Sequence, residues 1–368
     1  MRVTPDGLYR RVAEASQAAG MIAWGCTDSA PLTVNTEWLQ RRRKKRWQAS
    51  FEPQEDQARV DPKQRYPWAQ RILCFAHPYW TTPSRSSDAQ HGFVARYARG
   101  PDYHDWLRRR LQTVLQALEE EGYRAEMAVD TTPLLERSLA ARAGVGFIGK
   151  NGLLIVPGYG SFVLLGEVVT NAPVPLSKRL PQGCGRCERC LLACPTQALL
   201  GNGQVDSSRC LSYQTQNKAL PPQEIQARWG NRIFGCDTCQ MVCPYNRDVL
   251  KKGTAAVLPN DGKASDFLPW EALYPMSSTV YRMHFRSTAA GWRGKRTLER
   301  NALLAMGAAA PLSEQLYQRL QQACNDARPA IREAAHAALQ RFEQRKEKHA
   351  AVNAQALLPG VQPSFHEK

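Results

Sequence analysis

Eight cysteines lie between Cys184 and Cys243. Cys184-x2-Cys187-x2-Cys190-x3-Cys194-Pro195 has the spacing with which bacterial iron–sulfur proteins hold paired [4Fe–4S] clusters. The short intervals let one loop wrap three thiolates around a cube of iron and sulfide, while the cysteine before proline points to the other cluster. Cys236-x2-Cys239-x3-Cys243-Pro244 supplies three positions of a second run, and Cys210 is the candidate for its missing ligand. Exchange of the fourth ligands gives two sets: Cys184, Cys187, Cys190 and Cys243, and Cys194, Cys210, Cys236 and Cys239. Cys-x2-Cys also binds zinc, so paired zinc sites are the alternative; the two Cys-Pro endings and the tight triple weigh against them. Cys26, Cys74 and Cys324 are isolated and read as ordinary buried thiols. Two clusters this close form an electron wire, and a wire needs a terminal. An electron carrier alone needs only a fraction of 368 residues, so the segment in front should hold a substrate or second cofactor.

That segment, residues 1–175, reads as α/β. Leu8 to Ala13 starts a helix, Met21 to Trp24 and Arg71 to Phe75 are short apolar strands, and Trp106 to Glu121 has helical periodicity that stops at Gly122. Arg124 to Val129 is a strand ending on Asp130. A helix is expected next, with Thr131 or Thr132 as N-cap, Pro133 at its first position and Gly144 as its stop. Gly152 to Gly166 reads as a strand pair with a turn. Strands alternating with helices predict a sheet with helices packed on it. Residues 176–250, rich in Cys, Pro and Gly, should bury little core and be organised by metal. Residues 251–368 end in helices: Asn325 to Leu339 and Arg300 to Gly307 have HEAT-type spacing, which predicts two helix pairs in a short α-solenoid and a loose tail after Leu358.

The net charge of +16 favours an anionic partner, nucleic acid first and an anionic membrane surface second. No uncharged apolar run spans a bilayer. Arg10-Arg11 is followed by an amphipathic helix and not by the apolar stretch of an export signal. The expectation is a cytoplasmic, monomeric protein with no membrane partner, whose cysteines are ligands or free thiols and not disulfides.

From Arg59 to Ala338 the chain resembles the epoxyqueuosine reductase family, cobalamin-dependent iron–sulfur enzymes of tRNA queuosine synthesis. The resemblance is carried by Arg59-Val60-Asp61-Pro62 with Pro67, by Arg96-Tyr97-Ala98-Arg99-Gly100-Pro101-Asp102-Tyr103-His104, and by Val129-Asp130-Thr131. It continues in Gly146-Phe147-Ile148-Gly149-Lys150-Asn151-Gly152, Cys210-Leu211-Ser212-Tyr213 and Gly235-Cys236-Asp237-Thr238-Cys239 through Asn246. It implies a three-part architecture: an α/β cobalamin-binding catalytic domain (1–175), a bacterial-ferredoxin-like two-cluster domain (176–250) and a helical HEAT-like tRNA-binding domain (251–368). The implied reaction removes the epoxide oxygen of epoxyqueuosine at the wobble position of tRNA, with electrons reaching cobalamin through the clusters from an external low-potential donor.

By the same resemblance Asp130 is the proton donor. It sits at the end of a strand, where α/β sheets place ligands, but the dipole of a helix starting near Pro133 would favour its carboxylate, so burial must oppose that. On position alone Asp130 reads equally as that helix's cap. Arg59, Tyr97, Asp130, Lys150, Asn151, Ser212 and Asp237 are the implied cobalamin contacts. The six cations Arg41 to Arg46 depart from the family pattern and read equally as a phosphate contact or a solvated helix face. Arg293, Lys295, Arg296 and Arg300, with Arg286, Arg328 and Arg332, are expected to bind tRNA backbone. Two other readings compete: a corrinoid reductive dehalogenase, which is usually exported, and a ferredoxin-like carrier fused to an RNA-binding helical repeat, which has no use for Asp130.

Overall fold

The computed structural model describes residues 4–79, 91–181, 183–252 and 267–356; the tail after Leu358 lies outside them. The first half of the chain runs Pro5–Ala18 (α1), Ala23–Asp28 (β1), Thr36–Lys45 (α2), Asp56–Val60 (α3), Arg71–Pro78 (β2) and His91–Val94 (β3). It continues with Tyr103–Glu119 (α4), Ala125–Ala128 (β4), Glu136–Arg142 (α5), Phe147–Ile148 (β5), Leu154–Ile155 (β6) and Val163–Thr170 (β7). Strands β1, β2, β7 and β4 form one sheet in that order, each neighbouring pair antiparallel.

Strand β2 is an unbroken apolar run because both its faces are covered. Leu73 and Phe75 pack with Leu8 and Val12 of α1 and with Leu107 and Leu111 of α4. The alternate residues Ile72, Cys74 and Ala76 point the other way, against Leu139 and Ala140 of α5. Gly166 on β7 lets α4 close on the sheet, since a Cβ there would sit 2.8 Å from the Leu111 side chain.

Three local expectations change. The helix after Asp130 begins at Glu136, not Pro133, and neither Thr131 nor Thr132 caps it; its N-cap is Leu135 with no side-chain hydrogen bond. The intervening residues bend around a cavity, and Asp130 itself takes a left-handed φ of 50°. Gly152 to Gly166 is not one strand pair: β6 pairs with β5, while β7 joins the large sheet, and only a Val156–Gly160 bridge closes the turn between them. The first strand lies at Ala23–Asp28, displaced from Met21–Trp24 by its register with β2.

The second half contains Arg189–Ala193 (α6), Leu211–Gln216 (α7), Gln223–Gln226 (α8), Arg232–Phe234 (β8), Thr238–Met241 (α9) and Arg247–Lys252 (α10). Phe267–Pro269 (β9), Trp270–Leu273 (α11), Ser278–His284 (α12), Lys295–Ala309 (α13), Glu314–Ala323 (α14) and Pro329–Ala356 (α15) follow. Helix α6 buries no residue, as a metal-organised segment should. After Cys210 that changes: Leu211, Trp229 and Phe234 enter one core with Trp270, Leu303 and Phe342. A three-stranded sheet, β8-β3-β9, takes one strand from each of the three expected segments, so they interlock. Helix α13 is the hub of the helical part and packs closely on α15, where Gly307 faces the Ala338 backbone.

Helix α13 also corrects an expectation about tRNA. Arg300 is only 2% exposed. Its guanidinium donates to the carbonyls of Gln214, Asn217 and Ala219 at the end of α7, and to Asn301 Oδ1. Asn301 in turn donates to the carbonyls of Thr215 and Ile233, both at 2.7 Å. Arg300 is therefore a structural clamp with no donor left for phosphate. Leaving such carbonyls unpaired costs about 1–3 kcal/mol each. Arg300→Met should lower stability by about 3 kcal/mol or more, read by thermal unfolding. Exposed Arg296 is the control, and its change to Met should stay within about 0.5 kcal/mol.

Candidate active site

Asp130 stands on the bend between edge strand β4 and α5, and the first turn of α4 fixes it. Asp102 caps α4, accepting from the His104 N–H at 3.0 Å. This places Tyr103 and His104 side by side, rings 4.1 Å apart and stacked. Tyr103 Oη donates to Asp130 Oδ2 at 2.9 Å, and His104 Nε2 meets the same oxygen at 2.8 Å. The other ring nitrogen, Nδ1, lies 2.6 Å from Asp102 Oδ1. Burial alone would lower the His104 pKa, but the hydrogen bonds from Asp102 and Asp130 outweigh it and push it up to about 9. At neutral pH the imidazole is therefore an imidazolium bridging two carboxylates. Burial would raise the Asp130 pKa; the His104 and Tyr103 hydrogen bonds outweigh it, and the net direction is down. Side-chain donors and not a helix dipole hold this carboxylate.

Two more acids stand behind the bend. Glu136, the first residue of α5, accepts from the Asp130 N–H. Burial, then the Asp130 charge, pushes its carboxyl up to about 8. Glu167, fully buried on β7, is raised further by burial and by Glu136. The arrangement thus sets protons on His104 and Glu136 beside the ionised Asp102 and Asp130.

Asp130, Glu136, Arg59 and Lys150 line a cavity of about 800 Å³, with Cys184 also in its wall. Arg59 is held there by Glu52, which also takes a two-pronged ion pair from Arg42 at 2.6 and 2.7 Å. Burial opposes the Glu52 charge, but Arg42, then Arg59, prevails and its pKa falls. Arg42 further donates to Ser207 Oγ at 2.9 Å. One member of the basic run is thus a buried clamp between the cavity wall and the cysteine-rich segment; Arg43 pairs with Asp56, and Arg41, Lys44 and Lys45 are exposed.

The other expected contacts divide into two groups. Asn151 is buried beside the cysteines, and its Nδ2 has no hydrogen-bond partner. Tyr97, Ser212 and Asp237 do not line the cavity wall. Burial, then Asp237 and Asp130, raises the Tyr97 phenol, while a hydrogen bond with Ser212 opposes the rise. Asp237 is 2% exposed and accepts from the Arg96 N–H at 3.0 Å.

Cys184, Cys187, Cys190 and Cys243 line one small enclosed space with Lys150 and Asn151. The Lys150 N–H points to Cys184 Sγ at 3.5 Å. The other four thiols also neighbour one another. Burial, then Cys236, pushes Cys210 up to about 11, and burial, then Cys210 and Cys236, raises Cys239, with Cys194 adding to both. Arg232 Nε donates to Cys236 Sγ at 3.2 Å. Among the described residues no three His, Cys, Asp or Glu side chains converge on a single ion. All eleven cysteines are free; Cys26 and Cys74 are buried, and Cys324 is half-buried against the helical core.

At the cavity mouth Trp292 is 51% exposed, with Phe51 edge-on at 5.2 Å and Arg293 stacked over it at 3.7 Å. Lys295 is spent on the Met276 carbonyl at 2.9 Å. Arg328 is bound by Glu299 and Asp326, and Arg332 donates to the carbonyls of Asp326 and Ala327. Of the expected tRNA cations, Arg286 and Arg296 are the exposed ones. The sequence reading assigned no role to His104, Glu136, Glu167, Glu52 or Trp292. Glu167 had a legible signal: a lone carboxylate inside the apolar strand Val163–Thr170.

Residues 183–246 match a family model described as a 4Fe-4S double cluster binding domain, and residues 59–131 match one described as epoxyqueuosine reductase QueG, DUF1730. An epoxyqueuosine reductase of Bacillus cereus is 34% identical over 82% of this chain and 80% of its own length. That of Staphylococcus aureus is 32% identical over 92% and 90%. A crystal structure of epoxyqueuosine reductase with an epoxyqueuosine-modified tRNA-Tyr stem loop superposes with a TM-score of 0.84 at 30% identity, covering 97% of this chain and 96% of that one. A Bacillus subtilis epoxyqueuosine reductase, solved with its aspartate-bearing catalytic loop swung out of the active site, gives a TM-score of 0.82 at 31% identity over 92% and 91%. With these identities across most of both lengths, the chain belongs to the epoxyqueuosine reductase family.

Proposed function

We propose that the 800 Å³ cavity is where this protein reduces epoxyqueuosine in tRNA to queuosine, with Asp130 on one wall and the first cysteine set on the other. The observation that carries this reading is that Asp130 and Cys184 line the same space. Each turnover converts an epoxide, two electrons and two protons into an alkene and water. The protein must therefore bring electrons to one side of the substrate and protons to the other.

Cys184, Cys187, Cys190 and Cys243 hold one [4Fe–4S] cluster, and Cys194, Cys210, Cys236 and Cys239 the other. The donor set suits this assignment: eight free thiols, four of which line one small enclosed space. The cavity also suits cobalamin. Its wall offers Arg59 and Lys150 as donors for amide oxygens. Held by Arg59 and Lys150, cobalamin would supply a nucleophilic, redox-active metal centre for reduction of the epoxide. Tyr97, Ser212, Asp237 and the buried Asn151 remain the further contacts that the resemblance implies.

Asp130 hands the proton to the leaving oxygen. Because it rests as a carboxylate, the proton first sits on His104 and crosses their 2.8 Å hydrogen bond. Asp102 holds the imidazole ring in line. Tyr103 fixes the carboxylate rotamer, and Glu136 fixes the backbone of the bend. A modified wobble base reaches this depth only when unstacked from its loop. Trp292 and Phe51 at the mouth are placed to stack on a neighbouring base, with Arg293 and Arg296 toward phosphate. The helices α12 to α15, read as a HEAT-like repeat, carry that face. Free thiols throughout suit a reducing cytoplasm, and among the described residues no helix is long and apolar enough to cross a membrane. Electrons come from an external donor, and the protein acts as a monomer.

Anaerobic incubation with reductant, cobalamin and epoxyqueuosine-containing tRNA, followed by nucleoside mass analysis, tests the reaction. Loss of one oxygen from the base is expected, and no conversion by cluster-replete protein overturns it. Asp130→Asn should cut turnover by about 10²–10⁴-fold with cobalamin binding intact. His104 must carry a proton, so the parent rate should fall as pH rises through about 9, and His104→Gln should lose that limb. An unchanged pH profile in the variant removes His104 from the proton path. Cys210→Ala should halve the bound iron, from about eight to about four per chain; full iron content would show that Cys210 is no ligand.

A further inference from the structure

The surface over the cysteine segment carries an apolar patch that the reaction does not use. Leu192 on α6 is 85% exposed, and Met241 on α9 is 41% exposed. They border a shallow depression of about 710 Å³ whose floor includes Cys243, and whose rim includes Arg189, Arg247 and Lys251, all exposed. A leucine with nearly all of its side chain in water, beside a methionine on a second helix, is a cost that packing among the described residues does not explain. Cys243 also lines the enclosed space of the first cysteine set, and Cys184 of that set lines the catalytic cavity. One cysteine set thus reaches both the patch and the site of reduction.

We infer that this patch is the docking surface of the electron donor, a small acidic carrier protein that delivers one electron per encounter. The inference rests on the assignment of Cys243 as a cluster ligand. Three features select this occupant. An apolar centre ringed by cations is complementary to a carrier whose exposed redox group is apolar and whose surroundings are acidic. The net charge of +16 steers such a partner in over long range. The patch is small, as suits electron-transfer encounters that must form and part quickly. Each encounter oxidises the carrier by one electron and reduces a cluster by one. Two encounters supply the pair that one epoxide consumes, and the two protons come separately, through Asp130.

The test uses the cluster-replete full chain in anaerobic stopped flow, with cluster bleaching as the readout and two reductants: reduced flavodoxin as the acidic carrier and dithionite as a small molecule that needs no docking surface. In the double variant Leu192→Glu/Arg247→Glu, flavodoxin should bleach the clusters at least tenfold more slowly and with a weaker dependence on ionic strength. Dithionite should bleach both proteins equally, and their iron contents should match. Arg247→Gln alone should give an intermediate flavodoxin rate. Equal flavodoxin rates in parent and double variant would overturn the patch, and a parent that flavodoxin cannot reduce would overturn the acidic carrier. Iron-replete parent whose clusters remain intact in Cys243→Ala would instead fault the ligand assignment beneath both.

Discussion

Everything at the site depends on one ionic chain, Asp102–His104–Asp130, that ties the first turn of α4 to the bend after β4. Two carboxylates 2.6 and 2.8 Å from one imidazole cannot both stay ionised in a half-buried cavity unless the ring is charged. The charged ring therefore follows from the geometry, and the high His104 pKa expresses it. That single cation lets Asp130 remain an anion within a cavity that also contains Glu136. It also lets the bend hold a non-glycine residue at φ 50°, since the Tyr103, His104 and Glu136 hydrogen bonds over-determine the conformation.

The same logic separates the acids by role. Asp130 has cationic and hydroxyl donors and ionises. Burial, then the Asp130 charge, raises Glu136 to about 8, and burial, then Glu136, raises Glu167. A third ionised acid there would repel the phosphate-rich substrate and the electrons entering from the cysteine side. Arg42, Arg59 and Glu52 do the matching work on the opposite wall, where a buried anion is balanced by two guanidiniums.

The cysteine framework, the main helices and strands of the first half and the importance of Asp130 were legible because each has a short-range signal: fixed ligand spacing, apolar periodicity, a strand end. The long-range facts were not. Nothing local says that Arg300 turns inward, because its partners are backbone carbonyls more than eighty residues away. Arg42 reads as one of six cations until Glu52 and Ser207 are placed beside it. The helix expected at Pro133 failed for the same reason, since the bend it would replace is held by α4, an element earlier in the chain. Charge runs and helix caps are local guesses about residues whose partners are tertiary.

The interlocking of the three segments follows from what the chemistry needs. In the proposed reaction, Asp130 on its bend and the cysteine segment must stay in register across the cavity that both line. The β8-β3-β9 sheet, the Arg42 clamp to Ser207 and the Arg300–Asn301 clamp to α7 each cross a segment boundary, and each ends near a cysteine ligand or the cavity wall. Through Arg300 and Asn301, helix α13 fixes the helix that follows Cys210, and so joins the helical part to the cysteine segment. Loss of that clamp should disturb the cysteine centre before it disturbs the distant α1–α4 layer, because the Gln214, Thr215 and Asn217 carbonyls lie on the last turn and cap of α7.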